Sequence, residues 1–493
     1  MPVPRPTLEQ DAAVTAFGKG EHLVLQAGAG TGKTTTLAML SASTRRRGLY
    51  IAFNKSIAQE AGRKFPRSVK CKTVHALAYA AVGHRYAERL NAPRIASFKT
   101  GASLGINMEI QLGDRKVTAG ALSYTALDTV IRFCRSADRT IGRQHVPWLR
   151  GIAEQHLHDQ LIDIVLPYAQ RAWSDVQKPD RGKVRFGHDH YLKMWALTEP
   201  KIPADFLLLD EAQDTNPVVE QVFIAQRGHA QLVMVGDSAQ AIYGWRGARD
   251  VMTGFDGKQL TLSHSFRFGE RLASEANRWL AIANAPIRLT GSPAVNTTME
   301  KTTSPDAILC RSNAGTLDEV MSLLEADRRV ALVGGGKALT DLAHAARDLK
   351  AGKRTFHPEL LLFSSWGELQ DYAEWDPAGR DLLPLVELID KYGVDVILDT
   401  VSRLSDDADA DITVSTAHKA KGREWPSVRI AEDFTEPEDP ENVDAMGEPL
   451  PCKIDEAEAR LAYVAVTRAR HHLDLGGLSW INRHPDGNPI SRH

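Results

Sequence analysis

One stretch constrains this 493-residue chain more than any other: Ala27-Gly28-Ala29-Gly30-Thr31-Gly32-Lys33-Thr34, set between the apolar run Leu23-Val24-Leu25 and a helical pattern from Thr35. Closely spaced glycines let successive backbone N–H groups curl around a phosphate chain, Lys33 reaches its outer oxygens, and the Thr34 hydroxyl suits Mg²⁺. The usual pattern opens with glycine. Ala27 stands there, a small departure inside the strand-before, helix-after setting that the loop requires.

The composition, 43% hydrophobic and 25% charged, suits several folded domains rather than one. No run of about eighteen apolar residues occurs, and Met1-Pro2-Val3-Pro4-Arg5-Pro6 lacks the apolar segment of a signal peptide. The expectation is a cytoplasmic protein, nuclear if eukaryotic, with no membrane partner. Cys71, Cys134, Cys310 and Cys452 are scattered singly, which predicts neither a zinc site nor a disulfide framework. A net charge of −2 argues against indiscriminate coating of nucleic acid, so any polyanion site must be a local groove.

Before the loop, Gln10 precedes a helical pattern through Ala13 and Phe17, and its amide can both donate to and accept from an adenine edge. Leu49-Tyr50-Ile51-Ala52-Phe53 reads as a second buried strand ending in Asn54-Lys55, with Phe53 facing either a ligand crevice or the core. Val69 to His75 reads as a third, ending in Thr73 and His75; a histidine there is a ligand contact or a structural ring. From about Ala76 to Pro200 the periods turn helical, as in an insertion. Its last part, Arg181 to Trp195, interleaves cations with rings. That composition suits a phosphate backbone with stacked bases, and equally a helix with its aromatics packed inward.

The sheet resumes at Phe206-Leu207-Leu208-Leu209 and ends in Asp210-Glu211-Ala212-Gln213-Asp214. Asp210 is expected to share Mg²⁺ with Thr34, and Glu211 to accept the proton of the attacking water. Leu232 to Asp237 reads as another strand. It leads into Ser238-Ala239-Gln240-Ala241-Ile242-Tyr243-Gly244-Trp245-Arg246-Gly247-Ala248, where Gln240 can reach a γ-phosphate while Tyr243 and Trp245 offer faces to bases. Arg460 to Arg470 reads as one helix that leaves Arg468 pointing across a cleft. Gly334-Gly335-Gly336 makes no second phosphate loop, because Lys337-Ala338 does not complete the pattern.

The wording of Ala27–Thr34, Leu208–Asp214, Gly236–Ala248, Val414–Glu424 and Leu461–Arg470, in that order, resembles the UvrD/Rep-type superfamily 1 DNA helicases over nearly the full length. Leu262 to Gly269 is most similar to the helicase part of the F-box helicase branch, although no F-box is apparent. The resemblance implies an α/β fold of two RecA-like parallel-sheet P-loop NTPase domains with helical insertions, the second short. The first domain would take 1–75 and 201–260 around an insertion at 76–200; the second would take 261–350 and 411–493 around an accessory insertion at 351–410.

It also implies an ATP- and Mg²⁺-dependent translocase on single-stranded DNA and a helicase on tailed duplex, generally 3′ to 5′, acting in DNA repair, recombination or replication. In the implied site, Lys33, Gln240, Arg267 and Arg468 attend the γ-phosphate beside the base Glu211, and Thr34 and Asp210 hold the metal. Gln10, Ala27, Gly28, Ala29, Gly30, Thr31, Gly32, Lys33, Thr34, Thr35, Phe266 and Glu424 hold the nucleotide, Phe266 by stacking on adenine and Glu424 at the ribose. Phe53, Asn54, Thr73, His75, Tyr243, Trp245, Arg246, Thr416 and His418 form the DNA track. Many relatives have an arginine where Thr35 stands. Three rivals stay open: a motor that strips proteins from DNA without unwinding, an RNA helicase, and a nucleotide-gated binding module.

Overall fold

The computed structural model describes residues 6–487 apart from 53, 93–96, 150, 153, 243–249, 358–359, 362, 376–381 and 445–448. Two parallel sheets organise it. The first is built from β1 (Leu23–Ala27), β2 (Gly48–Ala52) and β3 (Val69–Thr73), and then, beyond a small hairpin of β4 (Ile110–Leu112) and β5 (Arg115–Val117), from β6 (Phe206–Leu209), β7 (Gln231–Gly236) and β8 (Lys258–Leu262). Its order is β3-β2-β6-β7-β1-β8. β6 and β7 are buried along their whole length, which is why they read as continuous apolar runs rather than alternating ones.

Register decides what the sheet presents. β7 lies between β6 and β1, with Leu209 opposite Met234 and Gln26 opposite Gly236. The phosphate loop, Asp210 and Asp237 therefore leave the same carboxyl edge side by side, where open α/β sheets bind ligands.

The second sheet takes β9 (Ala307–Cys310), β10 (Val330–Leu332), β11 (Ile412–Thr416), β12 (Trp425–Ile430) and, after the hairpin of β13 (Glu438–Val443) and β14 (Pro449–Pro451), β15 (Ala469–Asp474). Its order is β10-β11-β9-β12-β15, again parallel. The helices Trp366–Trp375, Leu383–Tyr392 and Val394–Ser402 intervene between β10 and β11 and share a core with β9, β10 and β11. No helix among the described residues is long and apolar enough to cross a membrane.

Three sequence expectations change here. The segment between β3 and β6 is not wholly helical, because it contains the β4–β5 hairpin turning at Gly113-Asp114. Within Arg181 to Trp195 the rings face inward: Phe186, Tyr191 and Trp195 are buried, and Phe186 stacks on Tyr86 with centroids 4.4 Å apart. Even Lys193 is buried, its ammonium donating to the carbonyls of Ser136 and Asp138 at 2.8 and 2.5 Å. Last, the helix Glu456–Val466 stops before Arg468, which lies in the turn into β15 and is buried rather than free.

Candidate nucleotide site between the two sheets

The loop after β1 owes its path to two left-handed glycines, Gly30 at φ +74° and Gly32 at φ +76°. A side chain at Gly30 would also meet the Arg267 Cβ and the Ser265 Oγ, each at 2.6 Å. Thr31 ties the loop to itself by donating to the Gly28 carbonyl at 3.0 Å. Ala27 needs no glycine freedom, because it is a regular strand residue opposite Leu262 with its methyl buried in the core. The helix Lys33–Ala42 then begins with no side-chain cap on its first N–H groups, which leaves them to an anion.

Asp210 is gripped on both oxygens. Oδ2 accepts from Thr34 at 3.0 Å and from the Tyr50 hydroxyl at 2.6 Å, and Oδ1 accepts from the Glu211 N–H at 2.9 Å. Burial, reinforced by the neighbouring Glu211 charge, pushes the Asp210 carboxyl above its ordinary range. Glu211 stands at φ +52°, left-handed for a residue with a side chain, and lies 3.9 Å from the Lys33 ammonium. Burial works to raise its carboxyl, but Lys33, aided by the Gln213 amide, holds it below the usual glutamate range.

Two arginines close the other side, Arg267 in the connection that leaves β8 and Arg468 in the turn into β15 of the second sheet. Arg267 pairs with Glu424 at 2.7 Å and donates to the Thr467 carbonyl at 3.0 Å. Among the described residues Arg468 donates only to neutral oxygens: Val464 O at 2.8 Å, Arg423 O at 3.2 Å and Thr467 Oγ1 at 3.0 Å. Burial and then the Arg267 charge push its guanidinium down to about 9, so it remains a cation at neutral pH. A buried cation beside another cation, held by neutral oxygens alone, is a seat for an anion.

Phe266 and Gln10 flank the loop, and a Cβ on Gly32 would meet both, the ring and the amide nitrogen each at 3.6 Å. Phe266 is exposed, its ring meeting His264 edge to face with centroids 4.9 Å apart. The Gln10 amide is already used, accepting from the Thr7 N–H at 3.0 Å and donating to Thr36 Oγ1 at 3.0 Å. Thr35 is exposed on the first helical turn. Glu424 faces Arg267 and Arg470.

Three groups that the sequence did not single out complete the site. The Tyr463 hydroxyl, wholly buried, accepts from the Ala29 N–H at 2.9 Å and donates to Asp237 Oδ2 at 2.8 Å, joining the second sheet's helix to the phosphate loop. Asp237 also accepts from the Gln240 amide at 2.7 Å, and its own N–H donates to Gln213, whose amide holds Glu211 at 2.7 Å. Lys421 crosses from the turn after β11 to pair with Asp214 at 2.7 Å and to donate to the Gln240 carbonyl. Gln240 thus touches Asp237 and Lys421 rather than standing free.

Of the expected DNA track, Phe53, Tyr243, Trp245 and Arg246 lie outside the described residues. Asn54, Thr73 and Thr416 each cap a helix, at Ile57, Ala76 and Lys419. His75 leans on Asp189 at 3.5 Å, and His418 is half-buried at the start of the short helix Ala417–Ala420.

Asp210 and Thr34 place a carboxylate and a hydroxyl together at the phosphate loop, the hard oxygen donors that Mg²⁺ takes when phosphates and water fill its other positions. The residues fit both Mg²⁺ and a nucleotide triphosphate. Two RecA-like parallel-sheet domains meeting over one phosphate loop, with cations from the second facing acids of the first, define a two-domain P-loop NTPase.

Residues 10–246 match the AAA domain family and residues 366–479 the UvrD-like helicase C-terminal domain family. F-box DNA helicase protein 1 of Schizosaccharomyces pombe is 31% identical over 508 residues, covering 95% of this chain and 57% of that protein. F-box DNA helicase 1 of Gallus gallus is 28% identical, covering 92% of this chain and 47% of the relative. The ATP-dependent DNA helicase Rep of Escherichia coli is 28% identical, covering 55% and 42%. In both its matched regions the chain is similar to the UvrD/Rep-type superfamily 1 helicases. It spans about half the length of the curated relatives it matches.

Proposed function

We propose that the chain hydrolyses ATP to ADP and phosphate with Mg²⁺, and couples this to 3′-to-5′ movement along single-stranded DNA and unwinding of tailed duplex. One observation carries the reading: the buried, carboxylate-free Arg468 and its neighbour Arg267 face the Lys33–Glu211 pair across the cleft between the sheets. Cations brought to a γ-phosphate from a second domain are worth about 10³–10⁵ in rate, so such a site works only when the domains close.

The geometry supports a role for each residue. Thr34 and Asp210 would hold Mg²⁺, which when bound screens the phosphate charge. Glu211 is the base for water, kept ionised by Lys33. Gln213 fixes the carboxylate, and Gln240, bound to Asp237 and three residues ahead of Tyr243, ties γ-phosphate contact to the loop expected to stack on bases. The relatives are named DNA helicases, which favours DNA over RNA as the polymer.

The test is steady-state ATP hydrolysis without polymer, with single-stranded DNA and with single-stranded RNA, using Lys33→Ala as the blank. The expected result is large stimulation by DNA, then strand displacement on 3′-tailed but not 5′-tailed duplex. Hydrolysis indifferent to both polymers would leave a nucleotide-gated binding module; stimulation without displacement would leave a motor that strips proteins.

A further inference from the structure

Segment 54–73 holds six cations, Lys55, Arg63, Lys64, Arg67, Lys70 and Lys72, against one acid, Glu60, in a chain of net charge −2. It folds into the helix Lys55–Lys64 and β3, an outer strand of the first sheet that pairs with β2 alone. All six side chains are exposed. Lys70 and Lys72 alternate with Val69 and Cys71, so they leave the same side of the strand about 6.6 Å apart. Lys64 pairs with Glu60 at 2.7 Å; among the described residues no carboxylate comes within ion-pair distance of the other five.

Ordinary causes cover part of this. Lysines on an outer strand discourage edge-to-edge pairing, and Arg63 and Lys64 suit a helix C-terminus. Neither cause calls for Arg67 in the connecting loop or Lys55 at the helix start. β3, moreover, carries Lys70 and Lys72 up from Arg67 to the proposed DNA track, running into the cap Thr73 and then His75, and the helix opens beside that track with Lys55 after the cap Asn54, whereas Arg63 and Lys64 lie at its far end.

We propose that this cationic edge is a second, sequence-independent binding surface for the backbone of the same DNA strand, next to its passage over Thr73 and His75. The proposal rests on the DNA-motor reading above. Each cation meets a phosphate as a point charge, so the edge adds affinity and grip without reading bases. A strand only long enough to cover the core track does not reach it.

The experiment compares wild type with R67E/K70E/K72E, and with R67Q/K70Q/K72Q in case the reversal folds poorly. Fluorescence anisotropy reads the affinity for oligo-dT of increasing length over a salt series, and ATP hydrolysis is followed in parallel with a short, saturating oligomer. Removing three phosphate contacts should lower the salt slope for long oligomers by about 2 and weaken their binding roughly tenfold at low salt, with short-oligomer ATPase within about twofold of wild type. A variant that matches wild type in length dependence and salt slope overturns the edge while leaving the motor standing. A wild type that no oligomer stimulates sinks the motor reading itself.

Discussion

Glu211 holds a backbone conformation that costs a residue with a side chain about 1–3 kcal/mol and persists only where its surroundings impose it. Here Gln213 and Lys33 impose it, aiming the carboxylate across the mouth of the loop. Glu211→Gln keeps the shape and removes the base. Turnover with DNA should fall by at least about 10²-fold while ATP affinity, read by a fluorescent analogue, stays within about threefold. Unchanged turnover would take Glu211 out of that role. Arg468 allows a second prediction. Its fork reaches three oxygens at once, which an ammonium cannot reproduce. Arg468→Lys should keep the charge yet lower kcat by roughly 10²-fold or more, and kcat near wild type would reduce Arg468 to a structural cation.

The same scale shows what the sequence could and could not tell. The phosphate loop and the Asp-Glu pair are local patterns, legible wherever they stand. Tyr463 is different: inside Leu461-Ala462-Tyr463-Val464-Ala465-Val466 it reads as core, and its packing is core. Only its hydroxyl reaches the site. The usable signal was that a buried tyrosine needs a partner for its O–H, and the partners, Ala29 and Asp237, are more than two hundred residues away.

At the scale of elements, parallel strands buried on both faces announced themselves as apolar runs, whereas β4 and β5, three residues each, fell below any period. Their signal was the turn dipeptide Gly113-Asp114. The helix His188–Ala196 misled in the other direction, since cations among rings suited DNA as well as packing. Its N-terminus contains a titrating cap. His190 is buried, and its Nδ1 accepts from the Gly187 N–H at 2.9 Å, which requires a neutral ring. Burial lowers its pKa to about 4. The unfolded chain takes up that proton near pH 6.5, so the contribution is full above 6.5 and fades as pH falls toward 4. Between pH 8 and pH 5 the region should lose about 2 kcal/mol from this ring alone. His190→Gln supplies an acceptor that does not titrate. Amide hydrogen exchange in Ala119–Arg135 and His188–Ala196 should then lose much of its acid sensitivity, and an undiminished acid response would place the titration elsewhere.

For the whole molecule, what matters is that neither sheet owns a complete site. The phosphates would rest on the first, Arg468 and Lys421 come from the second with Arg267 on the connection between them, and Tyr463 already joins them with both of its hydrogen bonds spent on first-domain groups. Asp237 lies between Tyr463 and Gln240, so the phenol helps set the charge environment of the residue expected to follow the γ-phosphate. Tyr463→Phe preserves volume and packing but leaves the Ala29 N–H and one Asp237 oxygen without their partner. Stability should fall by about 1–3 kcal/mol, as for any buried polar group deprived of its bond. A merely structural hydroxyl would stop there. A hydroxyl that carries domain position to the phosphate loop should also lower the DNA-stimulated increment of kcat by roughly five- to tenfold, a coupling of about 1–1.4 kcal/mol, with DNA-free ATP affinity changed far less. Coupling is reciprocal in binding, so the effect of an ATP analogue on DNA affinity and the effect of DNA on analogue affinity should fall by one and the same factor. If Tyr463→Phe melts lower yet keeps full DNA stimulation, closure is transmitted by Lys421 and the arginines, and Tyr463 is a rivet between the domains.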